Sequence, residues 1–276
     1  SDINTSATVA FVLDSKNEEI HQIDLSDGTE KAPPLLFSGS NSEPNLISPR
    51  DLAYDASVNR LLVTDGSTNS LVAIPLDGTT PRAILSGPFT PDTETPFLAV
   101  QNITLNADNS KAYISDAGRA AIIEVDLNDG GRTLLADEDE VDSDDTVIRP
   151  ANNDNSFALP SALTIGPNNQ LLVVDNSLGV MVKVAMEDSS GDLDYKGQRD
   201  YIEGGATTPA EGDMAATSTA LAADNLMGRL SGLASNSNQE LLYTIDRDLK
   251  AVRLLSPRTN SNVLLSDLCE SSLGDN

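Results

Sequence analysis

The chain contains five segments in which an apolar run ends in an aspartate, followed by a short polar turn and a second apolar run. The five aspartates are Asp14, Asp65, Asp116, Asp175 and Asp246, spaced by 51, 51, 59 and 71 residues in a chain of 276 residues. Self-similarity at such an interval is the signature of a repeat architecture, in which each copy is one supersecondary unit. The repeat therefore constrains the fold before the chemistry of any single residue is considered.

The second copy shows the unit most clearly, as four short strands that we name A to D. Strand A is expected over residues 48–55, strand B over 60–65, strand C over 70–76 and strand D over 82–86. Strand B is a short apolar run of the kind that is buried on both faces. Strands C and D are separated by Asp77-Gly78, a dipeptide typical of a tight hairpin.

The same order of strands recurs along the chain, with some departures. The units cover about residues 7–40, 45–87, 97–136, 157–203 and 228–267. The first unit begins at strand B, so we expect its sheet to take strand A from elsewhere, as ring closure by the other terminus provides. Its strand D is predicted over residues 34–38, and strand D of the fourth unit over residues 195–202.

Four antiparallel strands repeated around an axis form a β-propeller, because one such sheet can bury its faces only against neighbouring sheets. The sequence thus predicts an all-β propeller of four-stranded antiparallel blades, with residues 1–276 as a single domain. Five copies are visible, so we expect five blades, or six with a missing or incomplete blade. Aromatic residues make up only 4% and Trp is absent, so the core must consist of small aliphatic side chains that interdigitate between sheets.

The repeat resembles that of the six-bladed NHL/YWTD/SMP-30-like propeller superfamily. The resemblance rests on P-x-x-L-A-x-D at residues 49–55, L-L-V-T-D at 61–65, N-x-L at 69–71, D-G at 77–78 and a closing R-x-L-L, as at 132–135. It extends over nearly the whole chain. It implies the architecture but says almost nothing about activity, because propellers of this kind support many functions.

Composition excludes several classes of partner. The formal net charge is −26, from 43 acidic and 17 basic residues. A field of that sign repels phosphate backbones and anionic lipid, so we expect neither a nucleic-acid partner nor membrane insertion. A single cysteine, Cys269, excludes an internal disulfide, and a single histidine, His21, argues against structural zinc. The abundance of polar residues with few lysines favours an extracytoplasmic bacterial protein, periplasmic, secreted or surface-attached, and we expect a monomer.

The repeat aspartates are the first candidate site. They could form a ring of catalytic carboxylates, or each could cap the end of a strand by hydrogen bonding to the following turn. Because every copy carries one, and repeated units share packing needs, we interpret them as structural.

The second candidate site is the central mouth of the ring, where each strand A begins. Lactonases of the SMP-30 type, which belong to the superfamily that the repeat resembles, bind a divalent metal there through Asn, Asp and Glu ligands. In this chain the corresponding positions hold Arg50, Gln101, Ser161 and Ser231, with Asp51 and Asn102 nearby. None of the first four is a carboxylate and an arginine would repel a metal, which argues against a lactonase. The six residues would instead line a polar mouth in which Arg50 binds a carboxylate or a sugar acid, unless Arg50 pairs with an aspartate of the chain.

Two long loops are further candidates. The first contains an acidic stretch whose carboxylates would suit Ca²⁺, the one cofactor we consider: Asp137, Asp139, Asp142, Asp144 and Asp145. It lacks the glycine and the distal glutamate of an EF-hand loop, and a run of like charges is usually solvated. The second loop is the insertion 204–227, in which residues 214–223 favour a short helix. His21 has no second histidine or nucleophile beside it, and we interpret it as structural.

Two functions remain open from the sequence. The first is a non-catalytic propeller module that binds a protein or a small polar or glycan ligand. The second is a propeller hydrolase or lyase, lactonase-like, with a divalent metal at the central mouth. The lack of convergent Glu, Asp and His residues at the starts of strand A favours the binding module, and we predict no catalytic residue.

Overall fold

The computed structural model describes fifteen parts of the chain. They are residues 2–3, 9–38, 44–91, 93–136, 140–141, 147–149, 157–166, 169–177, 180–184, 186, 199–204, 230–235, 241–246, 251–256 and 261–267. Throughout these parts the regular elements are β-strands. None of the described residues belongs to a helix with the length and hydropathy needed to cross a membrane.

In the described parts of the chain, the strands form five four-stranded sheets, in each of which the strands follow chain order and every neighbour is antiparallel. Sheet 1 consists of β1 (Asp2–Ile3), β2 (Val9–Asp14), β3 (Glu19–Asp24) and β4 (Glu30–Leu36). Sheet 2 consists of β5 (Pro49–Asp55), β6 (Arg60–Asp65), β7 (Ser70–Pro75) and β8 (Ala83–Ser86). Sheet 3 consists of β9 (Val100–Leu105), β10 (Lys111–Asp116), β11 (Ala121–Asp126) and β12 (Arg132–Ala136).

The second half of the described chain contains a hairpin and two more sheets. The hairpin pairs β13 (Glu140–Val141) with β14 (Val147–Arg149). Sheet 4 consists of β15 (Pro160–Ile165), β16 (Leu171–Asp175), β17 (Val180–Val184) and β18 (Arg199–Gly204). Sheet 5 consists of β19 (Leu230–Ser235), β20 (Leu242–Asp246), β21 (Ala251–Ser256) and β22 (Ser261–Asp267).

The chain divides into two compact units, residues 1–134 and residues 135–276. The first unit contains sheets 1 to 3 and the second contains the hairpin with sheets 4 and 5. The boundary falls within β12, the last strand of sheet 3. That residues 1–276 form one domain stays a prediction, as does the number of blades.

In the first unit, strand B of sheet 2 lies between two hydrophobic cores. Leu61 and Val63 of β6 belong to a cluster shared with sheet 1, whereas Leu62 belongs to a cluster shared with sheet 3. All three side chains are fully buried. A strand with both faces buried cannot show polar alternation, which explains its continuous apolar sequence.

The second unit is built in the same way. Leu172 and Val174 of β16 and Met181 of β17 form a buried cluster with Leu242 of β20, which joins sheet 4 to sheet 5. Mainly aliphatic side chains from facing sheets therefore provide the core in both units, joined in the first by Phe11, Phe37 and Phe97. Each apolar side chain of this size that is buried contributes roughly 1.5–3 kcal/mol of hydrophobic free energy.

Two arginines at the start of strand D join neighbouring sheets: Arg132 is the first residue of β12, and Arg82 directly precedes β8. Arg132 is buried and donates to Ser86 Oγ at 2.7 Å, to the carbonyl of Thr95 at 2.6 Å and to the carbonyl of Gly87. Arg82 similarly donates to the carbonyl of Phe37, at 3.1 Å. The arginine of R-x-L-L thus binds the end of the preceding sheet.

The turns close with residues in left-handed backbone conformation at matching positions. Turns between strands A and B have an asparagine one or two residues before strand B, at Asn59, Asn109 and Asn169, with φ of 53°, 56° and 57°. Asparagine is the residue besides glycine that adopts this conformation most readily. Gly78 has a φ of 72°, in agreement with the hairpin signal of Asp77-Gly78.

Several strand predictions were wrong in position. Sheet 1 takes its strand A from Asp2–Ile3, the segment directly before β2, and not from elsewhere in the chain. Its strand D spans Glu30–Leu36, earlier than the predicted residues 34–38. The prediction was wrong because Pro33 and Pro34 within the strand obscured its pattern. Strand D of sheet 4 lies at Arg199–Gly204, later than predicted. The proposed helix at 214–223 lies outside the described residues.

A candidate binding site where the first strands begin

Strand A of sheet 2 begins with a break in its ladder. Pro49 pairs with Asp65 and Asp51 pairs with Thr64, so Arg50 between them has no partner in the ladder. This is a β-bulge, which re-aims the side chain of the extra residue and is common beside functional sites. The bulge frees Arg50 from strand pairing.

The same irregularity occurs at the start of strand A in sheets 3, 4 and 5. The residues outside the regular pairing are Gln101 with Asn102, Ser161 with Ala162, and Gly232. Three of the four predicted strand-start positions therefore lie in bulges. In sheet 5 the bulged residue is Gly232, with a φ of 75°, and not the predicted Ser231, which pairs with Ile245. In the sequence of sheet 5, this glycine is the one signal that marks the bulge.

The structure brings Asp51 and Asn102 together. Asn102 Nδ2 donates to Asp51 Oδ2 at 3.0 Å, and the backbone N–H of Ile103 donates to the same oxygen at 3.2 Å. Beneath them, the hydroxyl of the buried Thr64 donates to the carbonyl of Gln101 at 2.6 Å. These bonds connect strand A of sheet 2 to strand A of sheet 3.

The Asp51 carboxylate is held in a poorly hydrated position. The residue as a whole is half-buried, but its carboxylate lies against sheet 3, where burial raises the pKa of Asp51. The bonds from Ile103 and Asn102 act in the opposite direction and are outweighed. This carboxylate therefore serves the contact between sheets and is occupied by its own neighbours.

Arg50, in contrast, is exposed. Its side chain lies across Gly66 at the start of the turn between strands B and C, so that a Cβ at Gly66 would come 2.5 Å from Arg50 Nε. Among the described residues, no ion pair or hydrogen bond involves the Arg50 guanidinium, and Asp51 bonds to Asn102 instead. The absence of a side chain at Gly66 provides the space in which Arg50 lies.

The other arginines of the first unit are all engaged. Arg60 pairs with the buried Asp55 at 2.8 Å, and Arg119 donates to the carbonyl of Pro96 at 3.1 Å. Arg82 and Arg132 join sheets, as described above. In the part of this unit that the structure describes, Arg50 is the arginine that makes no hydrogen bond or ion pair.

The remaining predicted mouth residues make local bonds. Gln101 is half-buried and its Nε2 lies 3.5 Å from the carbonyl of Ala99. Ser161 Oγ donates to the carbonyl of Val174 at 3.1 Å, within sheet 4. Neither residue brings a charge to the surface.

Three repeat aspartates are fully buried and occupied by backbone N–H groups. Asp65 Oδ2 accepts from Ile47 at 2.6 Å and from Ser48 at 3.1 Å, while its Oδ1 accepts from Ser67 and Thr68, both at 3.0 Å. Asp116 and Asp175 make the equivalent bonds in sheets 3 and 4. Each carboxylate therefore fastens the loop before strand A to the turn after strand B.

The other two repeat aspartates differ in what the structure describes. Asp14 Oδ1 accepts from Lys16 at 2.9 Å and from Asn17 at 3.0 Å, and hydrogen bonding by Asn17 lowers the pKa of Asp14. It caps only its own turn. Asp246 ends β20, and its side chain lies outside the described part of the chain.

His21 lies on β3 among three carboxylates. Its Nδ1 is 2.8 Å from Glu30 Oε1, and its Nε2 is 3.5 Å from Glu19 Oε2 and 4.0 Å from Asp14 Oδ2. The hydrogen bond to Glu30 raises the pKa of His21, and the charges of Glu30, Glu19 and Asp14 act in the same direction. The contacts are those of a histidine that links three strands of sheet 1.

The predicted calcium ligands, Asp137, Asp139, Asp142, Asp144 and Asp145, all lie outside the described residues, on either side of β13. The same is true of the insertion from residue 205 onwards. In the parts of the chain that the structure covers, no group of three or more His, Cys, Asp and Glu side chains is arranged to hold a metal ion.

No family model matches the sequence, and no curated protein matches it. Solved structures do match its fold. A nidogen/laminin complex contains a chain that is similar over 95% of this chain and 76% of its own, with a TM-score of 0.64 and 17% identity. Virginiamycin B lyase from Staphylococcus aureus is similar over 95% and 67%, with a TM-score of 0.53 and 14% identity.

An auxiliary nutrient binding protein from Bacteroides thetaiotaomicron is a third neighbour. It is similar over 96% of this chain and 55% of its own, with a TM-score of 0.61 and 12% identity. These neighbours are β-propellers, and the prediction of an all-β propeller of four-stranded antiparallel sheets is confirmed. At such low identity the similarity shows the fold alone.

Proposed function

We propose that this chain is a non-catalytic binding module, whose contact surface is formed where strand A of sheets 2 and 3 begins. The observation that carries the proposal is the position of Arg50. It is exposed, lies outside the strand ladder and has no ion-pair partner among the described residues, in a protein with a net charge of −26. An arginine with available donors is suited to bind a carboxylate through two parallel hydrogen bonds.

The surrounding residues support binding more than catalysis. Asp51 is the carboxylate nearest to Arg50 in sequence, and it is occupied by Asn102 and Ile103. A general acid or base needs access to the proton that it transfers. The lactonase-like alternative requires a set of metal ligands at the starts of strand A, where the residues are Arg50, Gln101 and Ser161.

The neighbouring structures are compatible with a binding role. One is a complex between nidogen and laminin, and another is named a nutrient binding protein. We extend this to an extracytoplasmic module that binds a protein or a small polar or glycan ligand through a carboxylate. The acidic surface would keep such a module soluble.

The proposal is tested with arrays of acidic and neutral peptides and of uronic-acid and neutral glycans. Wild-type protein and Arg50→Gln are compared, because glutamine keeps a polar side chain and removes the charge. We expect binding to acidic probes to fall at least about tenfold in the variant, the loss of roughly one charge-assisted hydrogen bond. If both proteins bind every probe equally, the proposal is wrong.

A further inference from the structure

We propose that the partner bound at this surface is a protein segment in which apolar side chains lie beside a carboxylate, with Arg50 as the contact for the carboxylate and Ile47 and Leu98 as the apolar contacts. This inference rests on the proposed function, because it uses the same surface. It adds the chemical class of the partner and two further contact residues.

The first observation is the exposure of two large aliphatic side chains. Ile47 is 65% exposed and Leu98 is 50% exposed. Each lies two residues before strand A of its sheet, and three residues before the bulged residue, Arg50 or Gln101. Apolar side chains exposed at matching positions of two adjacent sheets mark an interaction surface more strongly than a single exposed residue does.

The second observation is that the backbone beneath these side chains is fixed. The N–H of Ile47 donates to Asp65 at 2.6 Å, and the N–H of Leu98 donates to Asp116 at 2.7 Å. Both accepting carboxylates are fully buried. Contacts that are ordered before binding lose little conformational entropy when a partner arrives, so they contribute more of their burial to affinity.

The third observation is the proximity of the two strands. The bond of 3.0 Å between Asn102 and Asp51 joins strand A of sheet 2 to strand A of sheet 3 at the end where both strands begin. Arg50 precedes Asp51, and the two loops that carry Ile47 and Leu98 lead into these strands. One extended segment can therefore cross both sheets with its carboxylate at Arg50.

The aliphatic character of the surface favours a peptide over a sugar. Burying the apolar surface of isoleucine and leucine is favourable when the partner also presents apolar surface. A peptide side chain presents such surface, whereas a hydroxyl-rich ligand presents little of it. The charge of −26 disfavours a strongly acidic partner. A single carboxylate in an apolar context satisfies both conditions.

The test begins with selection of a random 12-residue peptide library on the wild-type protein. Selected peptides are resynthesised with a fluorescent label, and their dissociation constants are measured by anisotropy for wild type, Arg50→Gln, Ile47→Ser and Leu98→Ser. The matched control is Val58→Ser, because Val58 is 60% exposed in the turn at the other end of β5. Thermal unfolding of each variant verifies folding.

We expect selected peptides to combine an acidic residue with aliphatic or aromatic residues, and Ile47→Ser and Leu98→Ser each to weaken binding at least about fivefold. Val58→Ser should bind like wild type. If Arg50→Gln weakens binding while neither serine variant does, or if uronic-acid glycans bind and no peptide is selected, the partner class is wrong and the proposed function stands. If Arg50→Gln also has no effect on any probe, both fail.

Discussion

Asn102 donates a hydrogen bond of 3.0 Å to Asp51, and the two residues occupy strand A of adjacent sheets. A polar contact thus joins the two sheets at the end that carries the candidate binding site, beside cores that are otherwise apolar. Because burial raises the pKa of Asp51, the contact is sensitive to the charge of one carboxylate.

Replacing Asp51 by asparagine should change how stability depends on pH. A raised pKa means that the folded protein binds the proton more tightly than the unfolded chain, so this contribution is present at acid pH and is lost as pH rises through the folded pKa. Asp51→Asn keeps an acceptor for Asn102 and removes the charge. We expect the melting temperature of the variant, relative to wild type, to be higher at pH 7 than at pH 4.

The matching control is Asp51→Ala, which leaves the N–H groups of Asn102 and Ile103 without this acceptor. We expect it to lower the free energy of unfolding by about 1–3 kcal/mol at both pH values. An Asn variant that behaves like the Ala variant would contradict the assignment.

The buried repeat aspartates should contribute far more to stability than the half-buried Asp14. Asp65→Ala removes the acceptor of four backbone N–H groups. We expect a loss of at least about 2–3 kcal/mol in urea unfolding, since each unsatisfied buried donor carries a penalty of roughly 1–3 kcal/mol. Asp14→Ala should have a smaller effect, because water can replace Asp14 in its exposed turn. Equal losses of unfolding free energy in the two variants would show that burial of the carboxylate does not determine its contribution to stability.

Arg132 should be required for the contact between sheets 2 and 3. Arg132→Met retains much of the length of the side chain but removes the donors to Ser86, Gly87 and Thr95. It also removes the cation–π contact with Phe97, at 4.8 Å. We expect a loss of about 2–4 kcal/mol in the free energy of unfolding. A hydrogen bond to a charged group contributes about 1.5–3 kcal/mol, and here all of the bonds are made by one side chain.

His21 provides a direct measurement of a raised pKa, because it is the single histidine of the chain. Its proton NMR titration should give a pKa above the usual value of about 6.5. Glu30→Gln should lower that pKa, since the hydrogen bond with Glu30 is the main cause of the shift. The stability that protonated His21 contributes should be present at acid pH and lost as pH rises through its raised pKa. An unchanged titration in Glu30→Gln would refute the assigned cause.

Replacing each of two glycines by alanine should have different effects on stability. Gly66→Ala places a Cβ against the flexible Arg50 side chain, which can move, so we expect unchanged thermal stability and weaker binding of acidic probes. Gly130 has a φ of 80°, and a Cβ there would clash with the carbonyl of Leu85. We therefore expect Gly130→Ala to lower the free energy of unfolding by at least about 1–3 kcal/mol. Gly66→Ala binding with wild-type affinity would argue against a role of Gly66 in positioning Arg50.

Much of the fold follows from local sequence. Strand B of sheet 2 is recognisable because residues 61–63 face two cores, and the turns carry asparagine and glycine where a left-handed backbone is needed. Asp2–Ile3 could not be predicted, because two residues form too short a pattern. The strand β13 was hidden within the acidic stretch 137–145, and its partner β14 follows that stretch.

The site was predictable only in part. Arg50 stands out as a cation at a strand start, but the bulge that releases it depends on pairing with β6, which sequence periodicity does not reveal. The bonding of Asp51 to sheet 3 and the clamp of Arg132 likewise depend on a neighbouring sheet. Contacts between residues 37 to 52 positions apart require the folded arrangement.

If Arg50 binds a ligand as proposed, the bulges at the strand starts separate recognition from folding. Because Arg50 has no partner in the ladder, its side chain can be exchanged while β5 and β6 keep their register. Ser161 likewise lies outside the ladder of sheet 4, although its hydroxyl bonds to the carbonyl of Val174. A propeller built in this way can acquire a new specificity by point substitution at these positions, with its sheets and cores unaltered.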